Sequence, residues 1–164
     1  MKLDMDLNIS VLDKSFKGTI RDVLTINEAS LSNEFVEQPS VYAWFAALSE
    51  MASAEVESRK MSLSILKANL DSEKRSELNV LRSKDSSLKV TESMVESAIL
   101  KDNKYQAMQE ALIEAERQLG VLKAMVKALE QRCTMLVQLG SMRRQEMSLS
   151  DFGINMDKVH KNNG

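Results

Sequence analysis

Polar and apolar residues alternate at the start of the chain, where Leu3, Met5, Leu7, Ile9 and Val11 are separated by Asp4, Asp6, Asn8 and Ser10. A period of two is that of a strand with one apolar face. A single strand is not stable alone, so this one is expected to lie against a helix or to pair with a neighbouring subunit or a partner's sheet edge. From Lys14 to Gln38 the pattern predicts short helical pieces: KSFKGTIRDVL, then a cap at Asn27 followed by Leu31 and Phe35 four residues apart. Gln38 and Pro39 mark a break, because a proline has no N–H to donate and suits the first turn of a new helix.

Beyond Pro39 the apolar positions Tyr42, Phe45, Leu48, Ala52, Val56, Leu63, Leu66 and Leu70 keep a spacing of three or four that falters at Arg59. This predicts a long helix over about residues 39–82. RSKDSS supplies a turn, Thr91 can cap a restart, and KDN at 101–103 can interrupt it. The most regular pattern follows: Tyr105, Met108, Leu112, Ala115, Leu119, Leu122, Val126, Leu129, Cys133 and Leu136 form a heptad seam of the kind that packs helix on helix. Two long helices with a short connection fold back on each other. The expected fold class is therefore all-α, a long antiparallel helical hairpin with a small N-terminal strand and short helices. Residues 1–38 form the N-terminal segment, 39–147 the hairpin, and 148–164 a loose tail with a short docking segment around Phe152 and Ile154. Such a hairpin has little interior, and Ala46, Ala47, Ala111, Ala124 and Ala128 leave room for other helices to approach, so a homo-oligomer is expected.

Composition fits this picture, with one Pro, five Gly and few aromatics in 164 residues. No leader segment is read at the N-terminus, and no apolar run approaches the roughly 18 residues needed to span a bilayer. With Cys133 the only cysteine, no intrachain disulfide can form and a reducing cytoplasm is the expected compartment. His160 is the only histidine, which removes the usual zinc sets. No cofactor is expected. Catalytic patterns are also missing: there is no Ser-His-Asp or Cys-His set in context and no glycine-rich phosphate loop, and Asp151-Phe152-Gly153 matches the kinase D-F-G without any other kinase element. The protein is therefore read as non-enzymatic. Cys133, on the seam, reads as a small buried apolar residue, His160 as solvated, the eleven methionines as adaptable packing, and Tyr42, Trp44 and Phe45 as core or interface anchors.

Net charge is −2, but it is unevenly distributed: −6 over residues 1–58, +4 over 59–89 and 0 over 90–164. Lys60, Lys67, Lys74, Arg75, Arg82, Lys84 and Lys89 recur through the basic stretch, and Lys60, Lys67 and Lys74 are seven apart, hence on one face of an ideal helix. Exposed cations spaced along a track are what a phosphate backbone requires, without a base-reading pocket. The wet side of a hairpin would carry a similar pattern, and both readings remain open on charge alone.

Specific residues add a family likeness. Asp22-Val23, Ile26-Asn27, Leu31, Glu34, Tyr42 and Trp44, then Lys67-Ala68 with Leu70, and further on Lys89-Val90, Lys101-Asp102, Leu119-Gly120 with Leu122, and Ala128-Leu129, resemble the UvsY-type recombination mediators of tailed phages from about Asp22 to Glu146. The resemblance implies a ring of six or seven subunits that binds single-stranded DNA and loads a RecA-like recombinase onto DNA coated by single-strand-binding protein, in the host cytoplasm if the protein is phage-encoded. It also implies a DNA role for the segment around Lys67. Asn69 stands where that family has an arginine, so Lys74, Arg75 and Arg82 would compensate. Lys60, Lys67, Lys74, Arg75 and Arg82 are then expected to hold phosphates, with Lys84 and Lys89 bordering the track. The rival expectations are a coiled-coil assembly scaffold or chaperone that binds no DNA, and a single-strand annealing or coating protein without a recombinase partner.

Overall fold

The computed structural model describes the backbone of residues 5–84 and 89–162 and the side chains of residues 5–84 and 89–150. The chain is mostly helical. Its elements are β1 (Asp6–Val11), β2 (Lys14–Thr19), α1 (Ile20–Leu24), a 3-10 turn (Glu28–Ser30), α2 (Leu31–Lys84), α3 (Glu92–Leu100) and α4 (Asn103–Asn162). The alternation at the start is a strand, as its spacing predicts, with Leu7, Ile9 and Val11 buried and Asp6, Asn8 and Ser10 exposed.

Within the chain that strand pairs with β2, which corrects the helical expectation for residues 14–19. The two strands are joined by Leu12 and Asp13, and Leu12 adopts a left-handed φ of 53°. Such turns usually carry Gly or Asn, and the lack of either hides the hairpin from sequence reading. β2 runs directly into α1 through Thr19. The Thr19 hydroxyl accepts from the Asp22 N–H at 3.1 Å and the Asp22 carboxylate accepts from the Thr19 N–H at 2.9 Å, closing a capping box.

α2 begins at Leu31, eight residues before the expected start, and carries Pro39 in its interior. A proline there leaves the Phe35 carbonyl without its helical donor, a defect of about 3 kcal/mol in a helix interior. Pro39 is exposed, so solvent can reach this part of the helix. One residue before it the buried Gln38 side chain donates to the Leu129 carbonyl at 2.9 Å, which ties the same turn to α4. At its other end α2 runs through Arg82 and Ser83 to Lys84, so the first half of RSKDSS is helical and the remainder lies outside the described residues. Thr91 caps α3 by accepting from the Met94 N–H, and the break at KDN separates α3 from α4. The backbone of α4 continues to Asn162, where a loose tail is expected; the side chains of Phe152, Ile154 and His160 lie outside the described residues.

Packing divides the chain into two compact units. The first comprises Met1–Asn8, Phe16–Ala47 and Lys123–Gly164; the second comprises Ile9–Ser15 and Leu48–Leu122. In the second, α2 and α4 run antiparallel, as the Arg59–Ala111, Lys60–Glu116 and Lys74–Asp102 contacts show. Leu70, Val95, Ile99 and Tyr105 form its buried cluster, flanked by Leu63, Leu66, Leu78 and Val90. In the first unit Leu7, Phe45, Met125, Leu129 and Leu136 are buried.

The heptad seam is inward-facing along most of its length but fails at Cys133, which is exposed. The inward-facing position of this turn is Arg132, whose side chain is 9% exposed, and the seam is buried again at Leu136. The methionines also depart from the packing expectation: Met125 is buried, while Met5, Met61, Met135, Met142 and Met147 are more than half exposed.

Candidate nucleic-acid interface

All seven nominated cations belong to the second unit, on α2 or just before α3, and they fall into two groups. Lys60, Lys74 and Arg75 are each held by two carboxylates. Lys60 Nζ lies 3.1 Å from Glu57 and 3.7 Å from Glu116. Lys74, only 18% exposed, lies 3.3 Å from Glu77 and 3.7 Å from Asp102. Arg75 is gripped from both sides: its Nε donates to Asp71 at 2.7 Å, and its two terminal nitrogens donate to the two Glu92 oxygens at 2.8 and 2.5 Å. The fork holds the Asp71 and Glu92 carboxyls below their usual range, chiefly through these hydrogen bonds, and raises Arg75 in turn. Lys60 and Lys74 are raised by Glu57 and Glu77 respectively.

Three cations facing six carboxylates do not make a positive surface. Lys60, Lys67 and Lys74 share one face of α2, as their spacing of seven predicts, yet the two ends of that row are neutralised by residues on α2 itself, by Glu116 on α4 and by Asp102 just before it.

Lys67, Arg82, Lys84 and Lys89 form the second group. All four are exposed, and none makes an ion pair among the described residues. Arg82 and Lys84 sit in the last turn of α2, where a cation is favoured by the helix dipole. Lys89 precedes Val90, which packs with Leu78 against the buried cluster, and this brings Lys89 to the end of the hairpin that carries Arg82 and Lys84. Two cations outside the basic stretch belong with them. Lys101 and Lys104 are exposed, flank Asp102, and make no ion pair among the described residues. They lie in a segment of zero net charge, so the sequence signals were the KDN break, to which Lys101 belongs, and the Lys101-Asp102 pair of the family likeness. Asp102 itself caps α4, accepting from the Lys104 and Tyr105 N–H groups at 2.9 and 3.4 Å.

Arg59, where the helical spacing of α2 falters, is half-buried. It pairs with Glu55 at 2.5 Å and donates to the Ala111 carbonyl at 3.4 Å, so it joins two helices and does not face solvent as part of the track.

The first unit has a different polar centre. Arg132 pairs with Glu34, donates to Gln38 Oε1, and donates to the Thr25 carbonyl at 3.2 Å. Glu34 also accepts from the Asn27 N–H at 3.0 Å. Arg132 Nε is buried without a partner among the described residues. Near this centre the aromatics Tyr42, Trp44 and Phe45 diverge: Phe45 is 2% exposed, Trp44 is 41% exposed, and the Tyr42 hydroxyl donates to Glu130 at 3.2 Å. Among the described residues no group of His, Cys, Asp and Glu is arranged to hold a metal, and no helix is long and apolar enough to cross a membrane.

No protein-family model matches the chain, and no curated protein or solved structure matches it either. The resemblance to UvsY-type mediators therefore stands on the residues quoted for it.

Proposed function

We propose that the protein is a non-enzymatic recombination mediator that assembles into a ring, binds single-stranded DNA without sequence preference, and promotes loading of a RecA-like recombinase onto DNA coated by single-strand-binding protein. The observation that carries the DNA-binding part is the exposed set Lys67, Arg82, Lys84 and Lys89, with Lys101 and Lys104 beside it, none of them ion-paired among the described residues. Lys60, Lys74 and Arg75 take a structural role in this reading, holding α2 to α4 and α3. The recombinase and single-strand-binding protein are partners by the family likeness alone.

Six cations per protomer give a salt dependence of log K against log salt of roughly −4 for single strands. One copy would bind weakly at moderate salt, and a strand crossing several copies would gain avidity. Oligomerisation is supported by the large apolar side chains left exposed on the second unit, among them Met61, Ile65 and Ile113 at 68%, 57% and 60%.

The test is a fluorescence-anisotropy titration of a labelled oligonucleotide at several salt concentrations. Lys67→Ala/Arg82→Ala/Lys84→Ala is expected to weaken binding at least tenfold and flatten the salt slope, while Lys60→Ala changes little. No binding at low salt, or equal loss from both variants, rejects the assignment. Pull-down with a recombinase then separates a mediator from a coating or annealing protein.

One observation favours a second reading. Three of the six carboxylates around Lys60, Lys74 and Arg75, namely Glu116, Asp102 and Glu92, lie outside α2 and make part of the basic stretch a fastening between segments of the hairpin, as an assembly scaffold or chaperone would use it. That protein would show the same mass by light scattering and no affinity for DNA.

A further inference from the structure

The first unit contains an open cleft of about 590 Å³ that the DNA-binding reading does not use. Its wall is aromatic. Phe16 from β2 meets Trp44 and Phe45 from α2 with ring centroids 5.8 and 5.4 Å apart, and Trp44 and Phe45 pack edge to face at 4.8 Å. Phe45 is buried and serves as the base of this wall, whereas Trp44 is 41% exposed and presents its indole to whatever enters. Gly18 allows the arrangement: a Cβ at that position would come within 3.0 Å of Phe16 Cζ and press the ring out of place.

The remaining lining is charged, and its sign limits the occupant. Asp22, Glu34, Glu37 and Arg132 border the cleft, a net charge of −2. Three of these are committed elsewhere: Asp22 to the capping box with Thr19, and Glu34 and Arg132 to each other. Glu37 is exposed and makes no hydrogen bond or ion pair among the described side chains. A phosphate backbone would be repelled here, and a purely apolar ligand would leave Glu37 without a role. A guanidinium satisfies both surfaces, because it stacks flat on an indole face and is only weakly hydrated, while its edge donates to a carboxylate. The cleft is larger than one side chain, and its volume suits a few residues of peptide around it.

We infer that the cleft between β2, α1 and α2 is a docking site for an arginine presented by a basic segment of a partner protein, with Trp44 and Phe16 stacking the guanidinium and Glu37 accepting from it. The site is independent of the DNA-binding surface, all of whose cations belong to the other unit.

Trp44 is the only tryptophan, so its emission reports on the cleft alone. The full chain is titrated with an end-capped hexapeptide of alternating glycine and arginine, with the same peptide carrying citrulline, and with a short oligodeoxynucleotide. The arginine peptide is expected to change Trp44 emission saturably and the citrulline peptide to bind at least tenfold more weakly. Glu37→Gln, on an exposed side chain, is expected to weaken the arginine peptide about fivefold or more with an unchanged melting curve, and Glu50→Gln, on an exposed residue outside the cleft, to leave it unchanged. Equal responses to arginine and citrulline, equal effects of the two Gln variants, no saturable change, or a stronger response to the oligonucleotide would each overturn the site. A failure here leaves the anisotropy result on the second unit untouched, and the reverse also holds.

Discussion

Arg132 in the first unit and Arg75 in the second are bound in similar ways and differ in what that binding achieves. Each spreads its guanidinium over two side-chain partners, Glu34 and Gln38 for Arg132, Asp71 and Glu92 for Arg75. Arg132 is 9% exposed and its Glu34 partner 15%, whereas Arg75 is 39% exposed and Glu92 75%. Removing one member of a buried pair strands the other in a medium of low polarity, while removing a member of a surface pair returns its partner to water. The difference teaches that the number of partners is a poor guide to importance here and burial a good one.

The largest expected effect comes from the first unit. Arg132→Ala should lower the unfolding free energy by about 3 kcal/mol, since Glu34 and Gln38 lose their shared partner. Arg132→Lys should fail to restore it, because an ammonium lacks the planar fork that reaches Glu34, Gln38 and the Thr25 carbonyl together. Urea unfolding reads both. If Arg132→Ala shifts the midpoint no more than Arg75→Ala, burial is not what separates the two arginines.

A smaller effect tests packing on α4 without touching charge. Gly120 has open space where a Cβ would go, so Gly120→Ala should stabilise by about 0.8 kcal/mol through helix propensity. At Gly140 a Cβ would meet Phe35 Cζ at 2.9 Å, and Phe35 must move before any gain appears. Gly140→Ala should therefore gain less than Gly120→Ala, or lose. Equal gains in thermal melts would show that Phe35 moves freely.

The surface pairs of the second unit should have the smallest effects, legible through solution conditions. Asp71 and Glu92 are held below the usual carboxylate range by Arg75, and Glu114 is lowered to about 2 by Arg117 and Gln118. Because these values lie below those of the unfolded chain, the stability they contribute is complete above the ordinary carboxylate range of about 4. It is lost as the pH falls from there toward 2. Melting curves between pH 7 and pH 2 should show this decline, and Glu114→Gln should remove part of it. High salt at neutral pH should weaken the same pairs while leaving the effect of Arg132→Ala nearly unchanged. An equal salt response in both units would contradict the comparison.

How far the chain could be read without its structure differs from element to element. β1 was legible because one buried face imposes a strict period of two. Thr91 and the KDN break were legible because caps and interruptions are local chemistry, satisfied within three or four residues. β2 was not, since Leu12-Asp13 lacks the usual residues of a tight turn. Pro39 pointed to a helix start because the local cost of a proline is all that sequence shows, whereas in the fold its side chain is exposed and Gln38 beside it ties the turn to α4. Of the seven candidate cations, Lys67, Arg82, Lys84 and Lys89 kept the exposure the pattern suggested. Lys60, Lys74 and Arg75 did not stay available, because Glu116, Asp102 and Glu92 reach them from beyond α2.

The sequence by itself determined that this protein is built from long amphipathic helices folded back on each other, with a strand at the start and its positive charge concentrated in one stretch. Periodicity and composition act through neighbours along the chain, so they survive without knowledge of the fold. Only the tertiary structure decided which cations remain available, that the buried line passes through Arg132 and bypasses Cys133, and that Phe16 joins Trp44 and Phe45 at a cleft bordered by Glu37. Those outcomes depend on residues far apart in sequence meeting at a few ångströms, where burial and Coulomb attraction, both steep functions of distance and solvent exposure, take effect.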